Sequence, residues 1–192
     1  SEILALMPHC YLPYDRSRRV DPPPGRQEVG LPEDGFVFCS FQQCYKLNPP
    51  IFDLWCRLLR EVPRSVLWLQ EPGADAVANL RSEAVARGVD PGRLIFAPRV
   101  KSSSAYLGRL QLADLALDTY PYTSHSTGSD PLWAGVPLVT TMGETFASRV
   151  AASLLNAVGM PELVAGTHEA YFAIARQLAF DPDSLGALRA RL

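Results

Sequence analysis

Lysine is nearly absent from this 192-residue chain: of its 18 basic residues only Lys46 and Lys101 are lysines. Against 20 acidic residues the net charge is −2, with a pI near 5.9. No block of like charge occurs, which excludes the electrostatic footprint of a nucleic-acid binder or a membrane-surface patch. Cysteine is sparse as well. Cys10, Cys39, Cys44 and Cys56 all fall in the first third, with no C-x-x-C pair, and a zinc site needs two close pairs. Cys39 sits in a β-like run and Cys56 on a helix-like face, so they read as core thiols. There is no apolar run long enough to span a bilayer and no secretory leader, so a reducing cytoplasm is the expected compartment. Both glycine-rich phosphate signatures, G-x-G-x-x-G and G-x-x-x-x-G-K-[ST], are missing, which counts against a dinucleotide dehydrogenase or a P-loop enzyme. No metal and no resident cofactor is expected.

What is present is an ordinary globular composition, 47% hydrophobic and 20% charged, enough for one good core. Residues 1–34 are dense in proline and glycine ("DPPPGRQEVGLPEDG") and read as an irregular connector from a preceding lobe. From residue 35 the pattern is regular. "FVFCSF" (36–41) is an apolar, β-prone run. In the next stretch Ile51, Leu54, Trp55, Leu58 and Leu59 form one helical stripe, closed by Pro63. "SVLWLQ" (65–70), "RLIFAP" (93–98), "LALDT" (115–119) and "VPLVT" (136–140) follow as strands. Helices are predicted over 74–88, 103–112, 128–135, 144–158 with Phe146, Val150, Leu154 and Leu155 on one side, and from His168 onward. Strands that are apolar throughout are covered on both faces, and β-then-α alternation requires a parallel sheet with right-handed crossovers. The fold class is therefore α/β, a doubly wound Rossmann-like domain over residues 35–192. Its ligand site belongs in the loops beyond the carboxyl ends of the strands.

Three such loops hold unusual residues. In "PYTSHSTGSDPLW" (121–133), Ser126, Thr127, Gly128 and Ser129 would aim donors at an anion from a helix amino end, and diphosphate is the natural guest. The same residues also suit a capped helix, with Ser126 or Asp130 as N-cap and His125 a satisfied loop histidine. After "FVFCS" comes Lys46, placed either to neutralise a phosphate or simply to be solvated. The third loop, "APRVKSSSAY" (97–106), could offer backbone groups to a base edge or serve as a plain connection.

Four stretches in order, "FCSFQQCYKLNP" (38–49), "VPRSVLWL" (62–69), "LDTYPYTSHSTGSDPLWAGVPLVT" (117–140) and "GETFASRVAASLL" (143–155), resemble the O-linked N-acetylglucosamine transferase family, the TPR-associated glycosyltransferases of family 41. The resemblance runs from about residue 36 to the end, with a weaker echo in "MPHCYLPYDRSR". It implies the carboxyl-terminal, donor-binding lobe of a GT-B enzyme, with the acceptor lobe and TPR superhelix elsewhere. By resemblance Gln43 and Lys46 lie beside the diphosphate of UDP-N-acetylglucosamine (UDP-GlcNAc), Lys46 being the candidate catalytic residue. His125, Ser126 and Thr127 match a His-Thr-Thr that contacts the donor. Asp130 matches an aspartate that holds the ribose, Ala97 a position whose backbone reads uracil, and Arg109 an arginine near the base. Gln42 stands where the family usually has asparagine, and the 99–106 loop is slightly longer than usual, which leaves Lys101 and Tyr106 without an assignment.

The implied activity is inverting, metal-independent transfer from UDP-GlcNAc to Ser or Thr of an acceptor protein, which the missing parts would position. Two alternatives stay open. One is the donor lobe of another GT-B transferase or of a UDP-sugar epimerase; the other is a non-catalytic nucleotide-binding scaffold.

Overall fold

The computed structural model describes residues 10–12 and 15–192. Six parallel strands form one sheet in the order β3-β2-β1-β4-β5-β6: β1 Val37–Ser40, β2 Val66–Gln70, β3 Leu94–Ala97, β4 Leu115–Leu117, β5 Leu138–Thr141 and β6 Val164–Ala165. β1 is buried along its whole length, as is β4. That is the physical reason these runs do not alternate in polarity. The chain winds outward from β1 to β3, then returns to start β4 on the other side of β1. Strand order therefore reverses between β1 and β4, and such a reversal opens a crevice beyond the strand ends.

Helices α1 Pro49–Glu61, α2 Ala74–Ala86, α3 Ser103–Leu110, α4 Ser126–Trp133, α5 Val150–Ala157, α6 His168–Phe180 and α7 Pro182–Arg189 complete the fold. α1 packs on α6, while α3, α4 and α5 contact one another in sequence, giving a helical layer on each face. α1 starts where Asn48 accepts a hydrogen bond from the Ile51 amide at 3.1 Å, with prolines at its first two positions, where a missing N–H costs nothing. Its stripe of Ile51, Leu54, Trp55, Leu58 and Leu59 is buried, each side chain contributing roughly 1.5–3 kcal/mol relative to exposure. The indole N–H of Trp55 donates to the Tyr171 hydroxyl at 3.1 Å. That hydroxyl donates in turn to the Asp118 carbonyl at 3.1 Å, tying α1 and α6 to the end of β4.

The elements depart from the sequence pattern in four places. The helix predicted over 144–158 is a 3-10 turn at Phe146–Ser148 followed by α5. The Ser148 hydroxyl turns back to the Thr145 carbonyl, and Phe146 is exposed rather than part of the apolar side. α4 begins at Ser126 instead of 128, because the Gly128 amide already donates to the His125 carbonyl at 2.9 Å. Pro131 thus falls in its second turn, leaving the Thr127 carbonyl without a helical donor from that position. β6 is only two residues long, too short to carry a period. The carboxyl-terminal helical stretch is broken at Asp181, whose side chain caps α7 through the Ser184 amide at 2.9 Å.

The described part of residues 1–34 is irregular apart from a 3-10 turn at Gln27–Val29, and it is fastened to the sheet domain. Leu31 is buried in the core, and the Asp21 amide donates to the Ser104 carbonyl at 3.1 Å. The Asp21 carbonyl lies where a side chain on Gly108 would have to go. The cysteines are all free thiols, with Cys39 and Cys56 buried; burial pushes them up to about 12 and about 11 respectively, which makes them inert as nucleophiles.

Candidate functional site

The loops after β1 and β4 leave from the two sides of the strand-order reversal, and the structure brings their polar residues together. The first turn past β1 is a 3-10 turn at Cys44–Lys46. It folds Lys46 back, so that its ammonium donates to the Thr123 carbonyl at 3.0 Å and to Gln42 Oε1 at 3.3 Å. The ammonium also stands 4.0 Å from the centroid of the Tyr122 ring. Lys46 is therefore not the solvated loop lysine that its type suggests: it is 9% exposed, and burial holds it below the usual lysine range, opposed by the Asp118 carboxylate.

Gln42 joins the two loops. Its Oε1 accepts from both Lys46 and the Thr127 hydroxyl, the latter at 2.8 Å, and the side chain is buried. Gln43, the residue expected beside the diphosphate, is exposed at the rim, within 3.4 Å of Arg99. Sequence offered two adjacent glutamines; only the direction of the chain past β1 distinguishes them.

Asp118, at the end of β4, organises the second loop. It is 1% exposed. Its Oδ1 accepts from the Thr119 and Ser124 amides at 2.9 and 2.8 Å, and its Oδ2 from the Thr140 hydroxyl at 2.6 Å. Burial raises it to about 6 in spite of those donors. Neither Asp118 nor Gln42 was singled out from the sequence as a site residue; the "LD" that ends an apolar run was the available signal.

Beyond that clamp, α4 starts with His125 at its N-cap and no side-chain cap. Neither Ser126 nor Asp130 caps it, contrary to the capped-helix alternative. Ser126 is exposed, with its carbonyl accepting from the Ser129 hydroxyl at 2.8 Å. The uncapped first turn thus presents amide donors and the positive end of a helix dipole beside the Lys46 ammonium. The imidazole of His125 pairs through Nδ1 with the Tyr11 hydroxyl at 2.9 Å and is ringed edge-on by Tyr11, Tyr122 and Phe146. Its Nε2 is buried with no partner among the described residues. Burial, and then the Lys46 charge, push it below the ordinary histidine range. Gly128 sits so close to Ser124 Oγ that an added Cβ would come within 2.4 Å of it, so a glycine is required there for packing.

Asp130 lies one turn further on, 8% exposed. Its Oδ1 accepts from Arg18 Nη2 at 2.8 Å, and the Tyr106 hydroxyl also faces it. Burial raises it, opposed by those two groups. Arg109 is buried against Phe41, 4.9 Å from the ring centroid, and burial lowers it. It donates to the Pro98 carbonyl and, at 3.2 Å, to Gln70 Oε1. Ala97 is inside β3, with its carbonyl already accepting from the Glu71 amide at 2.9 Å and from Gln70 Nε2 at 2.8 Å. Both lone pairs of that carbonyl are used, so it is not open to a base edge. A cavity of about 370 Å³ runs beside it, bordered by Trp68, Pro98, Val100, Ala105 and Arg109. Lys101 is exposed on the same loop. Among the described residues no three His, Cys, Asp or Glu side chains gather as a metal-binding group, and no helix is long and apolar enough to cross a membrane.

A doubly wound sheet whose strand-order reversal carries a buried lysine, a histidine and an uncapped helix end is a Rossmann-like domain with a ligand crevice at its switch point. The sequence matches the model of the family described as Glycosyl transferase family 41 over residues 23–192, and the chain belongs to that family. It is 44% identical over 167 residues to the UDP-N-acetylglucosamine--peptide N-acetylglucosaminyltransferase of Caenorhabditis elegans, covering 87% of this chain and 14% of that protein. It is 41% identical over 199 residues to the probable UDP-N-acetylglucosamine--peptide N-acetylglucosaminyltransferase SEC of Arabidopsis thaliana, covering 100% of this chain and 20% of that protein. Among solved structures it resembles a Thermobaculum terrenum O-GlcNAc transferase mutant, K341M, with a TM-score of 0.81 and 31% identity over 94% of this chain and 33% of that one. The chain thus spans a fifth or less of the length of these curated relatives.

Proposed function

We propose that this chain is the donor-binding lobe of a protein O-GlcNAc transferase, holding UDP-GlcNAc for inverting transfer to Ser or Thr hydroxyls of acceptor proteins. One observation carries the reading: the uncapped amino end of α4, the Lys46 ammonium and the unpartnered Nε2 of His125 converge at the strand-order reversal. With Nδ1 accepting from the Tyr11 hydroxyl, Nε2 carries the imidazole proton, so each of the three can donate and none has a strong anionic partner among the described residues; a diphosphate would satisfy all three. As the anomeric bond breaks, negative charge grows on the leaving UDP. Donors fixed in advance around that charge are each worth about 3–4 kcal/mol of barrier. Lys46 supplies the full charge, the first-turn amides of Ser126 and Thr127 the dipole, and the clamp at Asp118 keeps them from reorganising during the step. The ribose falls to Asp130, and the base to the cavity beside Arg109, where loop residues 98–101 rather than the Ala97 carbonyl would read it. The acceptor hydroxyl and the base that deprotonates it belong to parts of the protein outside this lobe. The free thiols suit a reducing cytoplasm.

The test is a calorimetric titration of the chain with UDP. Binding with a 1:1 stoichiometry is expected. Absence of any UDP binding would overturn the donor-lobe reading and favour the scaffold alternative.

A further inference from the structure

The irregular stretch ahead of the sheet reads as a connector, but it reaches into the site. Arg18 leaves that stretch and places Nη2 2.8 Å from Asp130 Oδ1, with side chains only 20% and 12% exposed. The pair is thus largely withdrawn from the screening that weakens surface ion pairs. Arg18 is itself held in place: its carbonyl accepts from the Trp133 indole N–H at 3.2 Å. Three residues on, Asp21 is bolted to α3. Its amide donates to the Ser104 carbonyl at 3.1 Å, its carboxylate accepts from the Ser104 hydroxyl at 2.9 Å, and its carbonyl accepts from Gln111 Nε2 at 3.0 Å. The arginine is therefore delivered by an anchored backbone. The contact uses a single Nη2–Oδ1 hydrogen bond, and a carboxylate offers about four acceptor positions, so the pair leaves lone pairs for hydroxyls of a ligand.

We infer that Arg18 is a positioning residue for the nucleotide's ribose, holding the Asp130 carboxylate ionised and oriented, so that the segment preceding the sheet is a working part of the donor site. The inference rests on the donor-lobe reading. The titratable groups facing Asp130 are Arg18, from the segment, and Tyr106, from α3. Burial keeps Tyr106 protonated far above its usual range, so it can only donate a neutral hydrogen bond, and Arg18 supplies the one charge among these groups that offsets the desolvation of the carboxylate. Without it the buried Asp130 would take up a proton at a higher pH and turn from an acceptor into a donor toward the ribose.

The experiment measures UDP and pyrophosphate affinities of the full chain and of its Arg18→Met and Arg18→Lys variants across about pH 6 to 8. The ratio of UDP to pyrophosphate affinity of the unaltered chain sets the reference at each pH. Arg18→Met should weaken UDP binding about tenfold near neutrality, the loss of one charge-assisted contact, and by more toward pH 6, while pyrophosphate binding stays unchanged. Arg18→Lys, which restores the charge, should recover the ratio of the unaltered chain at every pH. If Arg18→Met weakens UDP and pyrophosphate equally with no pH dependence, Arg18 is merely structural and the inference fails. An unchanged UDP affinity also overturns it. Failure of the unaltered chain to bind UDP would instead remove the donor-lobe reading on which the inference stands.

Discussion

Lys46 and Asp118 are the two charges on which the site is built, and they sit in opposite electrostatic situations. Lys46 is buried without a direct carboxylate partner among the described residues: its neighbours are a carbonyl, an amide oxygen and a ring face. A buried charge without a paired anion is costly, and on the proposed reading a diphosphate supplies that anion. Lys46→Ala should therefore weaken UDP binding by about 1.5–3 kcal/mol, the worth of a charge-assisted hydrogen bond, while changing the urea midpoint little, since the ammonium makes no direct ion pair among the described residues. Asp118 is a carboxylate raised from 3.8 to about 6 by burial. The folded chain therefore binds a proton there that the unfolded chain has released, and the stability this contributes is fully present below about pH 3.8 and is lost as pH rises through about 6. Asn can replace this carboxylate sterically: its oxygen can still accept from the Thr119 and Ser124 amides and its NH2 can donate to the Thr140 hydroxyl. Relative to the unaltered chain, Asp118→Asn should thus gain on the order of 3 kcal/mol between about pH 4 and pH 7. Urea denaturation of both proteins at several pH values measures it, and a constant difference across that range would show that Asp118 does not titrate in this window.

At the scale of elements, the contact between α3 and the preceding segment is sensitive to a single methyl group. A Cβ on Gly108 would come 2.6 Å from the Asp21 carbonyl oxygen and 3.1 Å from its carbon. Both are backbone atoms that cannot rotate away. Gly108→Ala should cost roughly 1–3 kcal/mol of stability and push the segment off α3. Because Arg18 is carried on that segment, UDP affinity should fall with it. A variant of normal stability and normal UDP affinity would mean that the backbone adjusts locally. α4 shows how little of an element's role its own residues declare. The sequence supports its existence, but its start at Ser126 follows from the Gly128 amide bonding to the His125 carbonyl, and its open end from the absence of any side chain turned back to cap it.

For the whole molecule, the relevant fact is that the chain covers about a third of the bacterial O-GlcNAc transferase it resembles. A GT-B enzyme closes two lobes over donor and acceptor, so this lobe by itself should bind UDP yet transfer no sugar. Radiolabelled UDP-GlcNAc incubated with the pure chain and a broad protein acceptor mixture tests this. Transfer above background would mean that the acceptor machinery is not confined to another lobe.

The sequence by itself determined the layered α/β architecture, because apolar runs covered on both faces and a helical stripe such as Ile51–Leu54–Trp55–Leu58–Leu59 are local patterns whose burial dominates the free energy. It also pointed to the loops beyond the strand ends as the candidate site, since ligand crevices follow strand ends, and the matched motifs placed Lys46, His125 and Asp130 within them. Tertiary structure decided the rest. It turned Gln42 inward and Gln43 outward, filled the carbonyl of Ala97 with donors from β2 and the loop beyond it, broke the 144–158 stretch so that Phe146 faces His125, and brought Arg18 to Asp130 across 112 positions of sequence. Periodicity reports what a residue does to its neighbours in sequence. A buried polar atom, by contrast, takes whichever partner the packing of distant elements puts within about 3 Å, and no local pattern encodes that choice.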